Sequence, residues 1–362
     1  MEDEAVTPVV GTIMILAITV LGIGAIMLWG APTLQAIQDR NAVVSMQGEF
    51  IEVRTGTLDL MIDKSSRVPQ VVMESGHLGI EQGTRFLITS DEFDEEGGGY
   101  VGCSMVVTGW TDGGAFDIDQ GCTALNSAPA VDCETAAAGG LCLLVSAVTG
   151  SNEADADLSP TVTNTGSTWQ FSFDDASDLS TGTWVLRLYD EDGDVAAQSW
   201  ILETDRLAWD LSTVSGSYGV HLEGGAVFET NGIRTFLVKS PALQEDASGL
   251  DDVFLRIPTY LDGERSSVSG GNTIGVFIGQ VGNNHVRVQS DATDQIRYAF
   301  DGDLAESWCN SFLARNTLFS PARYAEPTTS SCADSPAVVT YDTGGSFPFE
   351  LSHARISTRL QL

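Results

Sequence analysis

Residues 9–30, VVGTIMILAITVLGIGAIMLWG, constrain this chain more than any other stretch. Residues 9–29 carry no charge and nothing more polar than Thr12 and Thr19. As an α-helix rising about 1.5 Å per residue the run spans roughly 30 Å, the thickness of a bilayer's hydrocarbon core. The two threonine hydroxyls can bond carbonyls one turn back. Gly11, Gly22 and Gly24, costly in an aqueous helix, are ordinary where helices cross lipid or touch one another. A buried helix of a soluble protein is one competing reading, and a cleaved secretory signal is another. Against the signal, the run exceeds the usual apolar length, the residues before it (MEDE) are acidic, and Pro32 directly follows the small pair Gly30-Ala31. The sequence therefore predicts a retained single-pass anchor in the lipid bilayer. No cysteine lies in or just after the run, so a lipid anchor of bacterial type has no acceptor.

Residues 4–13, EAVTPVVGTI, followed by MILAITVL, resemble the N-terminus of archaeal type IV pilins and pilin-like surface proteins. In that family a short leader precedes AV(S/T)PV(I/V)G and an unbroken apolar helix. The resemblance implies a leader over residues 1–4, cut by a prepilin peptidase between Glu4 and Ala5, and a transmembrane helix over 5–31. It also implies association with other pilin-like subunits, for which Gly11, Ala17, Gly22 and Ala25 are the candidate close helix contacts. This chain departs from the pattern in lacking the basic residues that normally precede the cut. Farther on, EGGAVFETNG, RIPTYLDGERSSVSGGNTIGVFI and the segment around Trp308 are similar to euryarchaeal proteins that carry the same N-terminus, a looser likeness that implies no ligand.

About 300 residues follow the anchor, enough for one large domain or two ordinary ones. Glycine is abundant at 38, and Val, Thr, Ser and aromatic residues recur in short runs, which points to β structure. The formal charge of −33 arises from 50 acidic against 17 basic residues. Such a surface repels phosphate backbones, so nucleic acid is not an expected partner. The acidity reads as a solubility adaptation to a saline exterior, with a cation-binding matrix as the sharper alternative.

Six cysteines, Cys103, Cys122, Cys133, Cys142, Cys309 and Cys332, all lie beyond the anchor. They form no CxxC pair, and His77, His221, His285 and His353 are scattered without ligand spacing, so disulfides are expected in place of a metal site. Proximity favours Cys309 with Cys332 and two bonds among the first four. Disulfides need an oxidising compartment, which puts residues 65–362 outside the cytoplasm.

Pro32 reads as a kink or a restart where the helix leaves the membrane. Over residues 32–64 apolar positions recur with helical period: Leu34, Ile37, Val44, Ile51 and Leu58 form one stripe, and Val43, Met46, Phe50 and Val53 lie on a neighbouring face. Asn41, Gly48 and Thr55 interrupt the alternate heptad positions, which argues against a self-sufficient coiled coil. The expected fold is therefore α+β: a long transmembrane helix continuing into an amphipathic helix laid on a mostly antiparallel, β-rich extracellular domain, a lollipop.

Within 65–362, residues 91–165 read as a loop-rich, disulfide-stapled excursion, and 151–167 as a linker or mobile loop. Trp184, Leu186 and Leu188 alternate along a strand that leads into a turn at 190–194. Asp190, Asp192 and Asp194 echo a calcium loop, but glycine falls at the fourth position and no glutamate occupies the twelfth, so a hairpin turn is favoured and no cofactor is expected beyond a possible structural calcium. VHLEGGAVFETNG predicts a hairpin with Gly224-Gly225 at its tip. Residues 303–316 predict a short helix laid on a sheet through Leu304, Trp308, Phe312 and Leu313. The tail HARISTRLQL reads as the strand that ends the sheet.

GxSxG, P-loop and HExxH patterns are absent, and a pair such as Asp251-Asp252 says little in so acidic a chain. Trp110, Trp169, Trp184, Trp200 and Trp209 suit a core better than a carbohydrate face. The expectation is a non-enzymatic, pilin-like subunit at the cell surface, a minor pilin or pseudopilin acting in a filament or in adhesion. The alternative is a single-copy, signal-anchored binding protein that does not polymerise.

Overall fold

The computed structural model of the chain describes residues 6–63, 68–92, 103–110, 116–122, 142–149, 152–155, 161–164, 169–172, 183–189, 195–213, 216–241, 243–245, 253–262, 267–288, 293–313, 327–334, 336–342 and 349–361. Helix α1 (Val6–Asp63) opens the chain. There follow β1 (Gln70–Met73), β2 (His77–Glu92), β3 (Cys103–Trp110), β4 (Phe116–Cys122), β5 (Cys142–Thr149), β6 (Asn152–Asp155), β7 (Thr161–Asn164), β8 (Trp169–Ser172), β9 (Thr183–Tyr189) and β10 (Val195–Thr213). Next come β11 (Gly216–Glu223), β12 (Ala226–Thr230), β13 (Thr235–Lys239), β14 (Leu243–Glu245), β15 (Val253–Asp262), β16 (Val268–Ser269), β17 (Asn272–Val288) and β18 (Thr293–Asp301). Helix α2 (Ala305–Leu313), β19 (Pro327–Ser331), β20 (Ala337–Asp342) and β21 (Phe349–Gln361) complete the order.

The class is α+β, a long apolar helix joined to a β-rich domain of curled sheets. A five-stranded sheet has the order β1-β17-β21-β15-β14. A twelve-stranded sheet runs β13-β12-β11-β10-β2-β18-β20-β19, with β16 paired to β2 and β9, β5 and β6 added beside β10. β3, β4, β8 and β7 form a third sheet of four strands. Pairing is antiparallel except between β15 and β21.

Helix α1 passes through Pro32 without a break, so no restart occurs there. Proline removes only the bond that would reach the Leu28 carbonyl, and both flanking turns are strongly helical. Thr33 Oγ1 also donates to the neighbouring Trp29 carbonyl at 2.9 Å. The stripe that the domain buries is Val43, Met46, Phe50, Val53, Thr57 and Leu60, at alternating steps of three and four residues. The burial is narrower than the broad stripe expected: the Val43, Met46, Phe50 and Val53 face is covered, whereas Leu34, Ile37 and Val44 at the stripe's other edge are exposed, Val44 by 51%. Four of the six buried members were already apolar on that covered face, and Thr57 is accommodated because its hydroxyl donates to the Val53 carbonyl.

A strand pair in the large sheet supplies two cores. Glu203 pairs with Arg85 and Asp205 with Gln82, so Gly83 and Thr84 of β2 oppose Thr204 alone, a β-bulge. Only glycine fits at 83, since a Cβ there would lie 2.8 Å from the Thr204 carbonyl oxygen. On β10 Leu202 and Leu207 differ in parity and so face opposite sides; adjacent Val227 and Phe228 on β12 do the same. Leu207, Val227 and Trp209 join the stripe of α1 and the inner face of the five-stranded sheet in one core. Leu202, Phe228 and Phe86 join α2 in the other. The distal half of α1 is thus core material of the domain.

Some connections differ from expectation. β6 and β7 lie within 151–167, where a linker was expected: four-residue strands of mostly polar sequence give little periodic signal. The tail strand β21 is central in its sheet, between β17 and β15, because its inward residues Ala354, Ile356 and Leu360 are needed in the middle of the core. Gly224 and Gly225, at φ 53° and 75°, form the two-residue turn between β11 and β12, a conformation that both glycines permit.

Candidate functional site

The feature that sets this molecule apart is the N-terminal part of α1. None of residues 10–38 is buried, and Trp29 is 84% exposed. The most apolar window of α1 has a mean hydropathy of 2.4 and is wholly unburied, so the helix is long and apolar enough to cross a membrane. Thr19 Oγ1 donates to the Ile15 carbonyl at 2.8 Å, which leaves no unbonded hydroxyl on the rod at that point. A Cβ placed on Gly11, Gly22 or Gly24 would meet nothing within 4 Å, so these glycines serve no packing inside the chain. At about 100° per residue, Gly11, Gly22 and Ala25 fall within an arc of about 60°, while Ala17 lies about 80° outside it. Glu4 and Ala5 lie outside the described residues.

The rod is rooted in the domain by polar clamps on the flanks of the buried stripe. Arg40 Nη1 lies 2.7 Å from Glu229 Oε1 on β12, and Gln47 Nε2 donates to the other carboxylate oxygen. One helical stretch farther, Arg54 donates through Nε to the Gly225 carbonyl at 2.6 Å and through Nη2 to the Ser240 carbonyl at 2.8 Å. Burial pulls the Arg54 guanidinium below its ordinary range, and the neighbouring Tyr260 phenol opposes that. The Tyr260 hydroxyl, itself pushed up by full burial, donates to Thr57 Oγ1 at 3.3 Å. None of these partners has a local sequence signal, since each is fixed by strands more than 160 residues away.

A second polar constellation occupies the opposite face of the large sheet, beneath α2. Glu223 Oε1 accepts from the Thr84 backbone N–H at 3.1 Å and from Trp308 Nε1 at 2.8 Å, while Oε2 has no hydrogen-bond partner among the described residues. Burial raises the carboxyl above the usual range, against the opposing pull of those bonds and of Arg206. Arg206 lies 3.1 Å from Glu81 and 3.4 Å from Asp303. Burial works against its charge, but Glu223, Glu81 and Asp303 outweigh that and raise it. His221 is lowered to about 4 by burial and by Arg206, with Asp303 opposing, and is neutral at physiological pH. Glu223, Arg206 and His221 are all buried and act as a polar core, which Glu81 and Asp303 join to the surface. Alternation in VHLEGG places His221 and Glu223 opposite Val220 and Leu222. That is the signal by which they could have been assigned to one face, but not that α2 covers it.

The other sequence candidates fall as follows. Cys309 and Cys332 form a disulfide that ties α2 to the end of β19. Cys103 and Cys122 are direct cross-strand partners of β3 and β4, Cys142 begins β5, and Cys133 lies outside the described residues. Trp209 is buried, with Nε1 donating to the Ser75 carbonyl, and Trp110, Trp169, Trp184 and Trp200 lie on β3, β8, β9 and β10. Asp190, Asp192, Asp194, Asp251 and Asp252 lie outside the described residues. The four histidines stand on four different strands, β2, β11, β17 and β21. Among the described residues no three His, Cys, Asp or Glu side chains are grouped so as to hold a metal ion.

No known family model, curated protein or solved structure matches this chain.

Proposed function

We propose that the chain is a membrane-anchored, pilin-like subunit of the archaeal type, a minor pilin or pseudopilin contributing to a surface filament or to adhesion. In this reading a prepilin peptidase removes the leader between Glu4 and Ala5. The apolar helix crosses the membrane and later packs against like helices of neighbouring subunits, and the β-rich domain stands outside on its end as a lollipop. The chain is then an assembly component and not an enzyme.

The observation that carries the reading is the bare rod. An uncharged helix with no intrachain cover is costly in water, and each interior glycine adds about 1 kcal/mol to that cost. Lipid or a bundle of helices removes the first cost, and close helix approach at Gly11, Gly22 and Ala25 gives the small residues a purpose. The Cys309–Cys332 disulfide supports an external domain, because such bonds persist in oxidising compartments. About 300 residues is large for the repeating subunit of a filament, which favours a minor or initiating role.

The test is the mass and N-terminal sequence of the protein from native membranes and from sheared surface material. An N-terminus at Ala5 in the sheared fraction is the expected result. An intact leader confined to membranes overturns the filament reading and leaves a single-copy anchored surface protein.

A further inference from the structure

The domain begins to cover α1 at Asp39: residues 10–38 are unburied, whereas Asp39, Ala42 and Val43 are buried. Asp39 is also the first charged residue after Glu4. The uncharged rod therefore ends where the rim of the domain begins, and only residues 31–38, uncharged but with Thr33, Gln35 and Gln38 among them, separate the apolar run from that rim.

β12 runs antiparallel to α1 along that rim. Arg54 reaches Gly225, and Arg40 and Gln47 converge on Glu229. Four strand residues, about 13 Å, thus match about ten helical residues, roughly 15 Å. Continuing the same way, the turn at 231–234 projects about 7–10 Å beyond Glu229, to the level of the last uncharged residues of α1. This turn is fixed: Asn231 Oδ1 accepts from the backbone N–H of Ile233 and of Arg234, and the Asn231 N–H donates to the Arg234 carbonyl.

The turn holds Ile233 90% exposed, more than Trp29 on the bare rod. Phe236, 45% exposed, stands opposite Glu229 in the β12–β13 register and so lies on the α1 side of the sheet. Arg234 is exposed beside Ile233, and the Arg40 side chain is 61% exposed. The rim nearest the rod thus carries two exposed apolar side chains and two arginines, of which Arg40 is paired with Glu229 and Arg234 lies in the turn itself.

We propose that the β12–β13 turn is a membrane-surface contact, in which Ile233 enters the headgroup layer of the bilayer that α1 crosses and Arg234 faces lipid phosphates. The proposal rests on residues 9–30 spanning that bilayer. Trp29 suits the hydrocarbon boundary. From there to the level of the turn, beside the last uncharged residues of α1, the helix rises about 10–14 Å, of which the headgroup layer takes about 5–8 Å, and the Ile233 side chain with a helix tilt of about 20° closes the few ångströms left. Continuity with the rod selects lipid as the occupant, and Arg234 in the turn lessens locally the repulsion that so acidic a domain otherwise has from anionic headgroups.

The test places a photoreactive benzophenone amino acid at Ile233, at Leu16 on the rod, or at Val72 on the five-stranded sheet, in the full chain reconstituted into phospholipid vesicles with and without anionic lipid. Lipid adducts are expected at 233 and 16 and not at 72, and Arg234→Glu is expected to reduce the adduct at 233 in anionic vesicles and leave that at 16 unchanged. An adduct from 233 to a second copy of the chain, or none at 233 while 16 reacts with lipid, overturns the membrane contact and leaves the spanning helix intact. Absence of lipid adducts at 16 overturns the spanning helix, and the contact with it.

Discussion

Trp308 Nε1 donates to Glu223 Oε1 at 2.8 Å, and neither side chain reaches solvent. The indole also sits edge-on to Phe86 and Phe228, with centroids 4.9 and 5.2 Å away, so one residue of α2 joins the aromatic core to the buried carboxyl. A Cβ on Gly224 would lie 3.0 Å from that indole, so the β11–β12 turn is shaped to admit it. The disulfide one residue later, at Cys309, holds the helix in place.

Because burial raises Glu223, the folded state favours its neutral form, and the native state holds this proton more tightly than the unfolded chain does. The sign follows: this group's contribution is most favourable at low pH and falls as pH rises from the ordinary glutamate value near 4.5 through the raised one. Glu223→Gln, a neutral mimic, is expected to gain stability relative to the parent as pH goes from 5 to 8. Denaturant midpoints of both proteins across that range check it, and a constant difference would show that Glu223 is ionised in the fold at little cost.

His221 has the opposite sign. Its depressed folded value, about 4 against an ordinary 6.5, means that stability is complete above 6.5 and is lost as pH falls towards 4. The loss amounts to about 3 kcal/mol for this residue. The buried His353, also lowered to about 4 by burial and then by Arg355, adds to the same acid slope. His221→Gln is expected to shrink that slope between pH 6.5 and 4 and to leave the His353 part in place. If the variant and the parent lose stability in parallel, His221 is not the titrating group.

What could be read locally was read from pattern: the apolar run, the Gly224-Gly225 turn, the α2 face of Leu304, Trp308 and Phe312, and a short-range cysteine pair. Each depends on residues close in sequence. What escaped depends on pairing across the chain. Nothing local in HARISTRLQL says that β21 lies parallel to β15 in mid-sheet, nor in VHLEGG that a helix from residue 305 covers His221 and Glu223. How much of the broad apolar stripe on α1 is covered is of the same kind, since all of it has helical period and only the domain's shape selects the Val43–Val53 side. What covers the rod is likewise not written in the fold, because no described residue of the chain covers it.

That selection is measurable. Phe50 is wholly buried among the α1 stripe and the inner faces of two sheets, so Phe50→Ala is expected to cost about 3–5 kcal/mol through lost burial and a residual cavity. Val44, on the other edge of the broad apolar stripe, is exposed, and Val44→Ala is expected to stay within about 0.5 kcal/mol. Chemical denaturation of the two variants gives both numbers. Comparable losses would mean that the Val44 face is also covered.

The clamp at Glu229 sets how the rod leaves the domain. Arg40 and Gln47 are seven residues apart, two turns of helix, and both reach the one carboxylate, so Glu229 fixes the helix just where its cover begins. Glu229→Ala removes both bonds, while Arg54 on Gly225 and Ser240, and Thr57 with Tyr260, still hold the distal turns. Lost charge-assisted bonds at a partly exposed site are worth about 1–2 kcal/mol, so the amides at 39–47 are expected to exchange roughly ten-fold faster with solvent deuterium. The amides at 50–60 are expected to keep the parent rate. Faster exchange along the whole stretch would mean that the helix opens as one unit and that its apolar face, not the carboxylate, sets the angle of the rod.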